Sequence, residues 1–163
     1  MKEATATTIA TLASSTESSW LFGGKPFTSE QIGKFEGFIY QITNRQTGKK
    51  YIGRKYFFSI RKVKGKRNRQ RTESDWKTYY GSSKELTKQV EALGPEMFLR
   101  EILSLHKTRG DTNYSEVRTQ FLLNVLEDSD YINDAVGKYR QRPPTHIKDA
   151  RTYANTTLRD SIT

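Results

Sequence analysis

The chain has 163 residues, 34% of them hydrophobic and 28% charged, with a formal net charge of +10 from 28 Lys and Arg against 18 Asp and Glu. The absence of cysteine excludes a disulfide framework, a thiolate zinc site, an iron–sulfur cluster and a cysteine nucleophile, and two histidines forty residues apart (His106 and His146) argue against a His-rich metal site. No run approaches the roughly 18 apolar residues that span a membrane and no signal-type apolar core opens the chain, so a cytoplasmic setting is expected, while the basic surplus favours an anionic partner, most commonly nucleic acid.

Residues 1–19 read as a tail: thirteen of them are Ala, Thr or Ser, and only Ile9 and Leu12 are large aliphatics. Such a segment buries too little apolar surface to offset its ordering entropy. Trp20, Leu21, Phe22, Phe27, Ile32 and Phe35 then surround Gly23-Gly24-Lys25-Pro26. This composition predicts an irregular arm packed on the domain, with a short helix starting at Thr28-Ser29-Glu30. Phe38 to Thr43 has strand-like density of β-branched and aromatic residues. Asn44 to Gly48 is turn material, and Lys49 to Lys55 reads as the second strand of a β-hairpin with a five-residue connection.

The segment from Arg54 to Lys77 carries ten Lys or Arg residues against Glu73 and Asp75, a net +8. Between Lys62 and Arg71 only Val63 is apolar, which predicts a mobile loop, an insertion over residues 62–75. Ser82 as N-cap with Glu85 three residues on predicts a helix carrying Leu86, Val90 and Leu93, ended by Gly94-Pro95. Met97 to His106 reads as a third strand, with Leu99, Leu103 and Leu105 on one face beside Glu101. Gly110-Asp111 reads as a break. A second helix is expected from about Tyr114 to Glu127, with Val117, Phe121, Leu122, Val125 and Leu126 on its apolar stripe. Residues 141–163 return to polar composition beyond Pro143-Pro144. The order hairpin, helix, strand, helix predicts a small α+β domain over 20–140, a three-stranded antiparallel sheet flanked by helices.

Gly37-Phe38-Ile39-Tyr40, followed eleven residues later by Tyr51-Ile52-Gly53, resembles the GIY-YIG nuclease superfamily. Phe38 stands where the family usually has glycine, and Gly37 is one position early. Three downstream positions fill the rest of the family pattern: Arg61 ten residues after Tyr51, Glu116 on the helix after the third strand, and Asn133 shortly after that helix. The match over roughly residues 20–140 is similar to phage-encoded, Seg-like homing-type endonucleases. The resemblance implies an endonuclease that hydrolyses DNA phosphodiesters with Mg²⁺ or Mn²⁺, in the cytoplasm of an infected bacterial host. The implied catalytic set is Tyr40, Tyr51, Arg61, Glu116 and Asn133.

The chemistry of these residue types agrees. Phosphodiester hydrolysis needs an activated water, stabilised phosphate charge and help for the leaving alkoxide. Glu116 is the candidate metal ligand, since one carboxylate with open positions suits a hard cation that keeps most of its waters. Arg61 offers a cationic fork to phosphate. A tyrosine of ordinary pKa near 10 is a poor base at neutral pH, so Arg54, Lys55 and Arg61 are the cations expected to lower it, and either Tyr40 or Tyr51 could be the base. Asn133 is expected to fix the site by hydrogen bonds.

Each residue also has a plainer role. Tyr40 and Tyr51 suit a strand, Glu116 could close a capping box on Asn113, and Trp76, Tyr79 and Tyr80 could stack on bases or form a lid over the hairpin. Arg54, Lys55, Lys62, Lys64, Lys66, Arg67, Arg69 and Arg71 are expected to contact DNA phosphates, which position a duplex without reading it; otherwise they are a solvated charge run. One active site cuts one strand, which leaves room for a homodimer. Two other functions stay open: a nucleic-acid-binding protein that has lost cleavage, which the Phe38 departure would favour, and a basic regulatory protein that binds an acidic partner.

Overall fold

The computed structural model describes residues 19–137 apart from Val63 and Lys66. The tail expected at 1–19, apart from Ser19, the polar segment expected at 141–163, and the DNA contact expected of Lys66 lie outside the described residues. In chain order the elements are β1 (Trp20–Phe22), β2 (Lys25–Pro26), β3 (Gly37–Asn44), β4 (Lys50–Tyr56), β5 (Phe58–Lys62), β6 (Arg69–Glu73), α1 (Lys84–Leu93), β7 (Phe98–His106) and α2 (Arg109–Leu122), with short 3₁₀ turns at Ser29–Gln31, Trp76–Thr78 and Pro95–Met97.

The fold is α+β, as expected, but its sheet has five strands rather than three, in the order β2-β1-β7-β3-β4. β3 pairs antiparallel with β4 and β7, and β1 runs parallel to β7. The arm at 20–35 hid the two extra strands because three and two residues are too few to show a period of two. The hairpin turn closes as its residues require: Asn44 Oδ1 accepts from the Gln46 and Thr47 amides, and Gly48 takes a φ of +73°, a conformation open to glycine at little cost.

Two cores form, one on each face. Trp20, Phe38, Tyr40, Phe57, Trp76 and Phe98 build the first, joined by Leu86 from α1. Ile39 and Ile52 pack with Val125, Leu126, Tyr131 and Val136 in the second, beneath α2. Phe38 is fully buried, its ring centroid 4.8 Å from Phe57 and 5.1 Å from Trp20. Burying such a ring stabilises by about 1.5–3 kcal/mol. The departure from glycine at this position is thus absorbed by the first core.

The expected apolar face of the third strand is overturned. The buried residues are Phe98, Arg100 and Ile102, and Leu103 is exposed. The core face is thus the one opposite Leu99 and Leu103; the β3–β7 register shifts between Ile39 and Tyr40, and this bulge at Leu103 turns Leu105 onto the core face with Phe98 and Ile102. Arg100 is buried under the aromatic rings of Trp20 and Tyr80 and donates to the carbonyls of Lys77 and Tyr79. It thereby ties the 76–80 segment to the sheet, with its charge opposed by two carbonyl dipoles.

Three other boundaries move. α1 is capped by Ser83, whose hydroxyl accepts from the Leu86 amide, rather than by Ser82. α2 starts at Arg109, not Tyr114: Thr108 caps it, and Gly110 and Asp111 lie in its first turn, where an acidic residue complements the helix dipole. Glu116 is therefore inside the helix and does not cap it with Asn113. Phe121 and Leu122 are exposed, and Val125 and Leu126 are buried beyond the helix end. Finally, the expected loop at 62–71 is in part an antiparallel ribbon, β5 paired with β6. The only apolar side chains of its strands are Phe58 and Ile60 at the base of one face, too few for an apolar period to report the strands.

Candidate active site

β4 is an edge strand, and the site is built around its middle. Tyr40 lies opposite Gly53 and Tyr51 opposite Ile42, which makes the two tyrosines diagonal neighbours on one face, ring centroids 6.2 Å apart. Tyr40 is buried against Trp20 and Tyr79. Its hydroxyl reaches the strand edge only because Gly53 has no side chain: a β-carbon there would lie 2.5 Å from Tyr40 Oη and 2.7 Å from Cζ. Tyr51 shares a hydrogen bond with the Ser82 hydroxyl at 3.4 Å, which the helix cap at Ser83 leaves available.

Arg54 is opposite Ile39 and so sits on the α2 face. Its guanidinium pairs with the Glu116 carboxylate and donates to Tyr56 Oη at 3.4 Å; Tyr56 in turn donates to Asn113. Burial works against the Arg54 cation, but the bond to Tyr56 and the charge of Glu116 outweigh it and move its pKa up. Lys55, on the tyrosine face, places its ammonium 3.6 Å from the Tyr79 ring centroid and bonds Asp75 at 2.7 Å. Together these groups line a pocket of about 200 Å³ that holds Tyr40, Tyr51, Arg54 and Glu116 and opens into a groove of about 1080 Å³ between α1 and α2.

Asn133 is buried and clasps the same strand. Its Oδ1 accepts from the Ile52 amide at 3.0 Å and its Nδ2 donates to the Ile52 carbonyl at 2.8 Å. Gln120 adds a bond to that carbonyl, and Lys50 exchanges backbone bonds with Asp130 and Ile132. An edge that would otherwise expose unpaired groups is thus covered at Lys50 and Ile52, and the pocket lies beside the following residues, Gly53 to Tyr56.

Of the expected catalytic residues, Tyr40, Tyr51 and Glu116 line the pocket, and Asn133 lines the adjoining groove. Arg61 does neither: it is exposed on β5, opposite Gln70. Sequence reasoning missed Gly53 as an opening, Ser82 as a partner of Tyr51, and Arg54 as the partner of Glu116. The signal for Arg54 was parity, since a residue three after Tyr51 on a strand points to the other face.

The expectation that neighbouring cations lower a tyrosine pKa is not met in this state. Burial, with the nearby phenols of Tyr79 and Tyr51 and the charge of Glu116, pushes Tyr40 well above its ordinary value. Burial raises Tyr51 too, against a bond from Ser82 that lowers it. Folding then favours the neutral phenols, a contribution present below the unfolded pKa near 10 and lost as pH rises through the folded values. Alkaline unfolding monitored by circular dichroism should therefore set in above pH ~10, and Tyr40→Phe should flatten that dependence; an unchanged profile would contradict the burial argument.

The pocket offers a cation one carboxylate and hydroxyl oxygens, a donor set that fits a hard ion retaining most of its water. Among the described residues no three His, Cys, Asp or Glu side chains cluster as a ready-made cage. No helix among them is long and apolar enough to cross a membrane.

In comparisons with known proteins, the family described as “Putative endonuclease segE, GIY-YIG domain” matches residues 20–136. No curated protein and no solved structure matches.

Proposed function

The chain belongs to the GIY-YIG endonuclease family, in its segE branch, and from that premise we propose a divalent-metal-dependent, phage-type DNA endonuclease whose active site is the pocket at the free edge of β4. The observation that carries the reading is the meeting of Tyr40, Tyr51, Arg54 and Glu116 around one small polar pocket. The proposed catalytic domain spans 20–140, with the polar segments 1–19 and 141–163 outside it.

In this reading Glu116 would hold Mg²⁺ or Mn²⁺, which when bound would supply Lewis acidity for phosphodiester hydrolysis. The phosphate-facing role expected of Arg61 passes to Arg54, whose planar fork matches two non-bridging oxygens. Its pairing with Glu116 holds that fork in place before substrate arrives. Tyr51, the less buried phenol, orients the attacking water by hydrogen bonding. Tyr40 fixes Tyr51 and Tyr79 from below and is a positioning residue. Asn133 locks the strand that carries Tyr51 and Arg54. Lys55 and the basic ribbon hold the flanking duplex by its phosphates.

Plasmid DNA incubated with Mg²⁺ or Mn²⁺ tests this reading. Wild type should convert supercoiled plasmid to nicked or linear forms, and Glu116→Ala should not, at unchanged melting temperature. Equal conversion by both proteins, or by neither, would overturn it, and DNA retention without cleavage would favour a binding protein instead.

A further inference from the structure

The ribbon β5–β6 leaves the domain directly after β4, with Phe57 as its hinge in the first core. Between Phe58 and Glu73 it carries seven Lys or Arg against one Glu. Its base is pinned: Arg109 donates to the Phe58 carbonyl at 2.6 Å, Ser74 bonds the backbone of Phe57 and Tyr56, and Arg71 lies on the Phe58 ring and pairs with Glu36. A free two-stranded hairpin is only marginally stable in water, so this anchoring is what holds the ribbon in a fixed direction. Each strand extends it by about 17 Å at ~3.3 Å per residue.

The cross-strand register sorts its side chains into two unlike faces. One pairs Phe58 with Glu73, Ile60 with Arg71, and Lys62 with Arg69; this face packs its base on the domain and carries charge toward the tip. The other pairs Ser59 with Thr72 and Arg61 with Gln70, and the Ser59 and Thr72 hydroxyls bond each other at 3.0 Å. The second face has no apolar member to bury, and Asp75, which bonds the pocket residue Lys55 at 2.7 Å, feels the charge of Arg61.

Resting on the reading of the chain as a DNA-cutting enzyme, we propose that this second face reads base sequence in the major groove of the duplex being cut. A two-stranded ribbon fits that groove, and the side-chain types match its donor and acceptor code: Arg takes guanine O6 and N7 in a fork, Gln takes adenine N6 and N7, and Ser or Thr accepts either role. Strong positive charge on the flanking face supplies the phosphate attraction that seats such a ribbon. Arg61 thus has a task that its distance from the pocket permits. The arrangement divides the work: Arg61 and Gln70 choose the site, and Lys62 and Arg69 hold the backbone.

Selection from a pool of randomised duplexes in EDTA, which needs no cleavage, tests the proposal in the full-length protein. Wild type should enrich a preferred sequence. Arg61→Ala with Gln70→Ala should lose that preference by about tenfold to a hundredfold, and Arg61→Lys should lose part of it with an unchanged salt slope. Lys62→Gln with Arg69→Gln should keep the preference and flatten the log-affinity against log-salt slope by about two. A preference that survives in the Arg61 and Gln70 variant, no preference in wild type, or loss of preference only with Lys62 and Arg69 would overturn it. Because the readout is binding, a protein that enriches a sequence yet never nicks plasmid would sink the nuclease reading and leave this one standing.

Discussion

Gly53→Ala should give a folded protein that cuts plasmid DNA at least ~100-fold more slowly than wild type. The added methyl would lie 2.5 Å from Tyr40 Oη and 2.7 Å from Cζ, nearer than any real contact. Tyr40 cannot retreat, because Trp20, Tyr51 and Tyr79 enclose its ring at centroid distances of 5.2, 6.2 and 6.0 Å. The strand must bow or the ring must leave its rotamer, an overpacking cost of about 1–3 kcal/mol. Either movement shifts Tyr51, two residues before Gly53, and Arg54, directly after it, and displacements near 1 Å cost about a hundredfold in rate where catalysis depends on positioning. Adding Tyr40→Phe removes the closest clashing atom, so the double variant should regain part of the melting temperature and none of the activity. A Gly53→Ala protein with normal cleavage would show that the pocket is not the site.

The second large effect separates two arginines. Arg54→Ala should lower nicking about 10²–10³-fold, the usual loss when one preorganised donor to a developing anion is removed. Arg61→Ala should leave the single-turnover rate on DNA saturated with enzyme within a few-fold of wild type and change only which sequences are cut, since it is exposed on β5 outside the pocket. Removing Arg54 also strips Glu116 of its ion-pair partner, so Arg54→Lys is the informative companion. It keeps the positive charge and loses the fork, and it should restore melting temperature more fully than rate. If Arg61→Ala stops cleavage and Arg54→Ala does not, the assignment of the phosphate-binding arginine made from geometry is wrong.

These two residues also mark where the sequence was readable. The hairpin, the helix after it and the α+β class follow from local chemistry: alternation in Phe38 to Thr43, an Asn and Gly turn, a Ser cap and a Gly-Pro stop. Strand parity allows Tyr40 and Tyr51 to share one face, whereas Glu116 joins them only through the resemblance to the GIY-YIG family. What could not be read depends on contacts between distant segments. The core face of β7 carries Arg100, buried only because carbonyls and rings from distant segments satisfy it, so the leucines on the opposite face misled the alternation, and the bulge at Leu103 depends on how β7 meets β3. β1 has three residues and is a strand only because β7 lies beside it. Beyond Phe58 and Ile60 the ribbon has no apolar side chain among the described residues to show a period, and a run of charge looks the same whether paired or loose. Arg61 satisfied a spacing rule counted along the chain, but the chain leaves the pocket at Phe57 and takes Arg61 with it.

The clasp of Asn133 on Ile52 joins positions 81 residues apart, and Glu116 reaches Arg54 across 62. During synthesis the tyrosine hairpin emerges from the ribosome long before either partner. A nascent chain that ends before Asn133 has its β4 edge unfastened, and one that ends before Glu116 has no carboxylate to set against Arg54. Closing the pocket thus depends on contacts across most of the domain, so on the proposed reading no fragment that ends before Glu116 carries a complete site.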